Sequence, residues 1–538
     1  MKLERVSPPI ANTLLQQYWE NEPSVAAFFP YAIEQQSFST RLALLQGQAY
    51  EREKLVQVIR SYMTPYTISE KAEQHLNLLQ QNAVVVVGGQ QAGLLTGPLF
   101  SIYKAITVIL LAKQQSEKLQ VPVVPLFWIA GEDNDIDEIN HTYTMQQDRV
   151  KKQIFGSSSR VKKMASHTAF ESEQLSQYVR DVFKDYGETA YTAELLQRVL
   201  APIETTSTYT EYFTALLQQL FEHEGLLFVD AAYGPFRQLE APYFQKLITH
   251  NDEIACAVVK QEAALTALGY AAPLEATESN ANLFYVDQGE RFLLERKDGY
   301  FINALKGLRF TKEELLELAS EQPERFSNNV VTRPLMQEMT MPVLAFVGGP
   351  GELAYWATLK TAFEVVQLQM PIFVPRLSAT LVSRQVQYAL EQADLTIAQV
   401  FAGKVPQLKE QFVEAQKSEG LMQQIALMER QLKEQYEQLA RLSKEDGIKL
   451  ERTFERNAGY HEQQFDYLKR KLHEQYELKH ETILRQMNIA QAQLLPNDKP
   501  QERLYSVYQF MNDFGPDFVS QLLKQVGAIE SEHVVIRM

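Results

Sequence analysis

The stretch "VVVVGGQQAGLLTGPLF" at Val84–Phe100 and the stretch "VLAFVGGPGELAYW" at Val343–Trp356 share one plan: an apolar run, a Gly-Gly pair, then a turn into a helix-like segment. Apolar runs without polar alternation suit strands buried on both faces, the kind found in parallel sheets covered by helices. "VVPLFWI" to Ile129, "GLLFVDA" to Ala231 and "PIFVP" to Pro375 are of the same type, with amphipathic helical stretches between or after them. The alternation predicts an α/β fold with a doubly wound, mostly parallel core.

In open sheets of this kind, ligands sit beyond the carboxyl ends of the strands, where strand order reverses. The first strand leads into Gly88, Gly89, Gln90, Gln91, Gly93 and Gly97, and the run ending at Val347 leads into Gly348, Gly349, Glu352 and Tyr355. Two Gly-Gly turns at two strand ends are expected to form opposite walls of one cleft, because glycine lets backbone N–H groups approach a ligand. Gly88 to Gly93 has Walker spacing, but Leu94 and Leu95 stand where that loop needs Lys and Ser or Thr, and GxGxxG is absent too. Thr96 is expected to cap a helix with Pro98 in its first turn, leaving Lys104 two turns in and able to face the cleft.

"GEDNDIDEINH", Gly131 to His141, follows a bulky strand with five carboxylates and a histidine. It imitates a calcium loop at Asp133, Asp135 and Asp137, but Glu138 and Thr144 occupy positions that require Gly and Glu. Glu132, Asp133, Asp135 and His141 are candidate catalytic residues, with Asp137 and His141 on one face if helical. The alternative is a solvated helix start that complements the dipole. Arg376 and Ser378 follow the strand ending at Pro375, and Arg333 in "PERFSNNVVTRP" is either a carboxylate or phosphate clamp or a surface ion pair. No metal ligands are assigned.

The chain divides into a first core half at 1–150, a helical insertion at 151–220, a core strand and helix at 221–254, an α+β insertion at 255–335, and a second core half at 336–400. A coiled-coil hairpin at 401–496 and a tail at 497–538 returning to the core complete the expectation. Leu421, Ile425, Met428 and Leu432 step at helical spacing, as do Phe465, Leu468, Leu472 and Tyr476, with Gly447 as the stop between the two runs. The antiparallel hairpin, rather than one helix kinked at Gly447, is expected to make a homodimer by covering apolar surface that two helices leave open.

A net charge of −15 over 538 residues argues against nucleic-acid binding. The longest apolar runs fall far short of the ~20 residues of a membrane helix, and "MKLERVSPPI" is not a signal peptide, so a cytoplasmic protein is expected. Cys256 is the only cysteine, which excludes internal disulfides and cysteine-rich zinc sites; it reads as a buried apolar residue on a helix.

Taken together, "VVVVGGQQAGLLTGPLFSIYKA", "FWIAGEDNDIDEINH", "RFSNNVVTRPL", "FVGGPGELAYWATLK" and "VPRLSATLV" resemble the cysteine ligase family of bacillithiol biosynthesis, BshC, over essentially the whole chain. The resemblance implies a Rossmann-like core with connecting insertions and a coiled coil, distantly like class I aminoacyl-tRNA synthetases. It also implies a ligase joining L-cysteine to glucosaminyl malate through an amide. The acid motif, Glu-Asp-His-Asp in many members, has Asn134 at its third position here, and the HIGH and KMSKS motifs are absent. Because a carboxylate does not condense unaided with an amine in water, activation by ATP with Mg²⁺, through an adenylate or acyl phosphate, is expected. The other classes compatible with the residues are a nucleotidyl- or glycosyl-transferase using the same cleft and a non-catalytic coiled-coil scaffold.

Overall fold

The computed structural model describes residues 2–156, 163–527 and 531–538; part of the 151–220 insertion and three residues of the tail therefore lie outside the described residues. The five apolar runs form one parallel sheet: β1 (Val84–Gln90), β2 (Val123–Ile129), β3 (Leu227–Asp230), β4 (Val343–Gly348) and β5 (Ile372–Pro375). Their spatial order is β5-β4-β1-β2-β3. All four pairings are parallel, which gives the Rossmann order with its reversal between β1 and β4. Helix α1 (Leu99–Leu119) packs on β1 and β2 and is largely buried.

The turn into α1 differs from expectation. Thr96 caps nothing: α1 starts after Pro98, and Leu95, Thr96 and Gly97 all have positive φ (51°, 65° and 66°). A left-handed β-branched residue is an outlier that persists only where its surroundings hold it. Here the tail does so, with Ser506 Oγ donating to Leu95 O and Leu99 N donating to Tyr505 O, both at 2.8 Å.

The insertion after β3 carries a five-stranded antiparallel sheet whose edge strand, Phe326–Asn328, pairs with Asn280–Asp287. A single buried cluster joins it to the core, running from Phe346, Trp356 and Phe373 to Leu283, Phe301 and Phe326. The chain's early strand Lys2–Val6 pairs antiparallel with the late strand His533–Arg537, in a sheet completed by Ala379–Val382.

These elements belong to one body, made of the chain up to Gln146, Lys151–Leu381 and Pro500–Arg537. A second body, built mainly from Val382–Lys499, is helical. Its longest helices, Glu419–Glu445 and Glu451–Lys479, form an antiparallel hairpin, with Glu429 paired to Lys469 at 2.7 Å and Tyr436 beside His461. Gly447 turns the chain at φ 71°, and Ser443 closes the turn through Ile448. Leu421, Met428, Leu439, Leu442 and Leu468 remain exposed along it.

Candidate active site

The glycines at the two strand ends serve different purposes. Gly88 and Gly89 are not turn residues; β1 continues through both, pairing them with Phe127 and Trp128. A Cβ on Gly88 would lie 2.7 Å from Val108 Cγ2, and one on Gly89 would lie 2.7 Å from Trp128 O. Close packing with α1 and β2 therefore explains these two. Gly348 likewise ends β4 inside the sheet, where a Cβ would meet the Phe373 ring at 2.5 Å. Only Gly349 stands where a side chain would find ordinary contacts, Arg376 Nε at 3.5 Å and Glu352 Oε2 at 3.7 Å.

A cavity of about 620 Å³ opens at the β1/β4 reversal. Gly89, Gln90 and Gln91 border it from β1, Trp128, Glu132, Asp133 and Asn134 from β2, Phe100 and Lys104 from α1. From β4 and β5 come Gly349, Glu352, Tyr355 and Arg376, from the insertion Phe284, Arg291, Asn328, Asn329 and Arg333, and from the tail Arg503.

Several of its charges are engaged within the protein. Lys104, 1% exposed, donates to Glu352 Oε2 (2.5 Å), Gly89 O (2.6 Å) and Gln90 Oε1 (3.0 Å). Burial pulls its pKa below the ordinary lysine value, with Glu352 opposing that shift. Arg376 donates to Glu502 Oε1 (2.7 Å) and Leu377 O (2.8 Å) and lies over the Phe100 ring. Burial would raise the Glu502 carboxyl, but the Arg376 charge and hydrogen bonds bring it below its usual value. Beside it, His533 bridges Ser378 Oγ and Thr380 Oγ1 at 2.8 Å each, and burial lowers its pKa to about 4.

Glu132 holds the acid loop to two elements. Its Oε2 accepts from Arg237 Nη2 (2.5 Å), Ser327 Oγ (2.8 Å) and Asn328 N (3.0 Å). Arg237 also donates to Glu240, a carboxyl that burial raises to about 8. Gly131 lies so close to Ser166 and Asp230 that a side chain would collide with both.

Other groups on the cavity remain open. Arg291, Arg333 and Arg503 have no carboxylate partner among the described residues. Arg291 donates Nη2 to Asn328 O and stacks on Phe284 at 3.9 Å, while Arg333 donates to Gln337 and Tyr355.

The structure thus gathers Glu132, Asp133, Gly89, Gln90, Gln91, Lys104, Arg333, Gly349, Glu352, Tyr355 and Arg376 at one cavity. Gly88, Gly93, Gly97, Gly348, Ser378, Asp135 and His141 lie outside its lining. Asp135, expected to line the cleft, is exposed, because the loop turns after Asn134 into the short helix Ile136–Ile139. That helix ends before His141, whose Nδ1 meets the Asp137 backbone carbonyl (3.0 Å) instead of its carboxylate. Cys256 lies on helix Asn251–Ala267 as expected, but it is only partly buried and borders a separate depression. Sequence reasoning missed Arg291, Asn328, Glu502 and Arg503. Asn328 stood inside a quoted motif; the other three lie in ordinary charged stretches that give no local signal.

Two family models cover the chain: the BshC N-terminal Rossmann-like domain matches residues 1–377, and the BshC C-terminal coiled-coil domain matches residues 379–538. The chain belongs to the BshC family of bacillithiol biosynthesis. Relatives named as cysteine ligase BshC align with it from end to end. The Lysinibacillus sphaericus protein is 47% identical, that of Geobacillus kaustophilus 40% and that of Bacillus licheniformis 34%, each covering 100% of both chains. Within the BshC coiled-coil match, residues 500–537 belong to the Rossmann-like body in space. No helix among the described residues is long and apolar enough to cross a membrane.

Proposed function

We propose that the cavity at the β1/β4 reversal joins the carboxyl group of L-cysteine to the amine of glucosaminyl malate, forming an amide. The carrying observation is the set of three guanidiniums, Arg291, Arg333 and Arg503, that border the cavity without carboxylate partners in a chain of net charge −15. Such a wall suits substrates that bring several anionic groups, as both a nucleotide and a malyl group do. The names of the full-length relatives support the cysteine-ligase part of this reading.

ATP with Mg²⁺ would supply the leaving group that a free carboxylate lacks. Arg503, exposed at the rim, and Arg376, held by Glu502, are the cations suited to its phosphates. Asp133, whose Oδ2 accepts from Gln91 at 2.6 Å, is the cavity carboxylate suited to take a proton from the attacking amine. Arg333, fixed by Tyr355 at 2.8 Å, would hold a substrate carboxylate.

The test is direct. Purified protein given ATP, Mg²⁺, L-cysteine and glucosaminyl malate should yield a product whose mass is the sum of the two substrates less one water. Product formed equally well without nucleotide would reject ATP, and no product from the full mixture would reject the ligase reading.

The protein is further proposed to work in the cytoplasm as a homodimer through the helical hairpin. Leu468, 45% exposed, supports this. Glutamate at Leu468 should halve the mass measured by light scattering; an unchanged mass would reject the hairpin as interface.

A further inference from the structure

Among the described residues, three carboxylates border the cavity: Glu132, Asp133 and Glu352. Glu132 engages Oε2 with three donors, and its side chain is 6% exposed. Asp133 accepts at both oxygens, Oδ2 from Gln91 at 2.6 Å and Oδ1 from the Asp135 N–H at 3.2 Å. Glu352 differs. It stands at the third position of helix Pro350–Trp356 and turns Oε2 back to the Gly349 N–H (2.8 Å) and to Lys104 Nζ (2.5 Å). The side chain of Lys104 is 1% exposed, and its ammonium also donates to Gly89 O and Gln90 Oε1, so no proton is left on it for a ligand. The Glu352 side chain is 25% exposed. Its Oε1 takes no hydrogen bond among the described residues and is open, unlike the enclosed, unpartnered carboxylate oxygens of Glu240 and Glu338. Two donors thus fix one oxygen of Glu352 and leave the other accessible.

We infer that Glu352 is a substrate-binding residue whose Oε1 receives a primary ammonium. The inference rests on the ligase reading above and adds a residue to it. Both substrates of that reading carry an amine, that of L-cysteine and that of the aminosugar. An ammonium brings donors and a positive charge to the accessible oxygen, a charge-assisted hydrogen bond. The same helix places Tyr355 one turn beyond Glu352, and Tyr355 OH accepts from Arg333 Nη2 at 2.8 Å. An anion and a tethered cation on one helical face suit a ligand that carries both charges, as each of these substrates does. Other occupants fit less well. A phosphate or a carboxylate alone would meet like charge at Oε1. A magnesium ion would find a single oxygen there, with the Lys104 ammonium holding the other.

Glu352→Gln keeps an oxygen for Gly349 and Lys104 but puts an amide nitrogen where Oε1 was. Calorimetry on the full-length protein, without nucleotide or magnesium, compares two pairs of ligands. One is L-cysteine and 3-mercaptopropionate, which lacks the ammonium; the other is glucosaminyl malate and its N-acetylated form. The wild type should prefer the amine-bearing member of at least one pair by about 10-fold or more, and Glu352→Gln should shrink that preference to within about twofold. Loss in the first pair places the cysteine ammonium at Glu352, and loss in the second places the aminosugar there. Glu352→Gln leaves the buried Lys104 charge without its carboxylate, so Lys104→Met combined with Glu352→Gln, which removes both charges, is measured beside it. In the double variant the melting temperature should recover towards wild type while the preference stays lost; a purely structural carboxylate would return the preference together with the stability. Preferences retained in folded Glu352→Gln, or a wild type that shows neither preference, overturn the inference, and the ligase reading then stands on product formation. A preference that is lost in both variants of a protein that makes no product keeps the ammonium site and rejects the ligase reading.

Discussion

The two walls of the cavity treat charge in opposite ways. On the sheet wall, Lys104 is paired with Glu352 and Arg376 with Glu502, so both cations are bound into the protein before any ligand arrives. On the insertion wall, Arg291 and Arg333 have no carboxylate partner and Asn328 has no side-chain partner at all. A buried ion pair is costly to break, because removing one partner strands the other. Arg333, whose guanidinium is held by the neutral Gln337 and Tyr355, can be removed with less harm to the fold and remains available to an incoming anion. On the proposed reading, the sheet wall sets the shape of the site and the insertion wall offers most of its recognition chemistry.

The largest effect should come from testing that contrast head-on. Lys104→Met strands Glu352 and should cost about 3–5 kcal/mol of stability by chemical denaturation. Arg333→Leu should cost about 1 kcal/mol or less, yet abolish most of the melting-temperature gain produced by the anionic substrate. Equal stability losses in the two variants would erase the distinction between the walls.

The sheet wall should also be the acid-sensitive one. His533 has a folded pKa of about 4 against 6.5 unfolded, so the native state binds fewer protons between those values. Its contribution is present above pH 6.5 and is lost as pH falls toward 4, up to about 3 kcal/mol at about 1.4 kcal/mol per unit. In His533→Gln the stability slope across that window should be shallower than in the wild type. Identical slopes would show that burial does not hold this histidine below its ordinary pKa.

Third in size are the glycines. Gly89→Val drives a side chain onto the Trp128 backbone and should cost about 1–3 kcal/mol or more. Gly349→Val should fold nearly normally and lose ligand-induced stabilisation, since its added methyl groups have only the cavity side to occupy. A stable Gly89→Val protein would restore the reading of Gly89 as a ligand-approach glycine.

The fold was legible for a plain physical reason: buried parallel strands need unbroken apolar runs, and β1 to β5 are those runs. The hairpin was legible from leucine spacing and one glycine. The lining of the candidate cavity was legible where it lies beside a strand end, as at Gln91, Asp133, Gly349 and Arg376. Legibility failed where the decisive fact was tertiary. Whether a Gly-Gly pair is a turn or a packing contact depends on Val108 and Trp128, residues distant in sequence. Arg503 reaches the cavity only because the tail folds back. Asp135 looked like its neighbour Asp133, but the short helix after Asn134 turns it away. It belongs to neither wall, so Asp135→Asn should give the smallest effect here: about 0.3–1 kcal/mol of stability and turnover within twofold of wild type. A 30-fold loss of turnover would put Asp135 back among the candidate catalytic residues.

The pairing of Lys2–Val6 with His533–Arg537 has a consequence for how the protein is made. Glu4 and Arg537, which bond across that sheet, are 533 residues apart, so during synthesis the early strand must wait for residues 533–537 to emerge. The same late segment delivers Glu502 and Arg503 and pins the left-handed loop at Leu95. A polypeptide interrupted before residue 500 carries every strand of the Rossmann-like sheet and still lacks part of the cavity wall. Competence thus waits for residues 500–537, and a ribosome-bound fragment that lacks them, however well its sheet has formed, has no finished pocket in which to consume substrate.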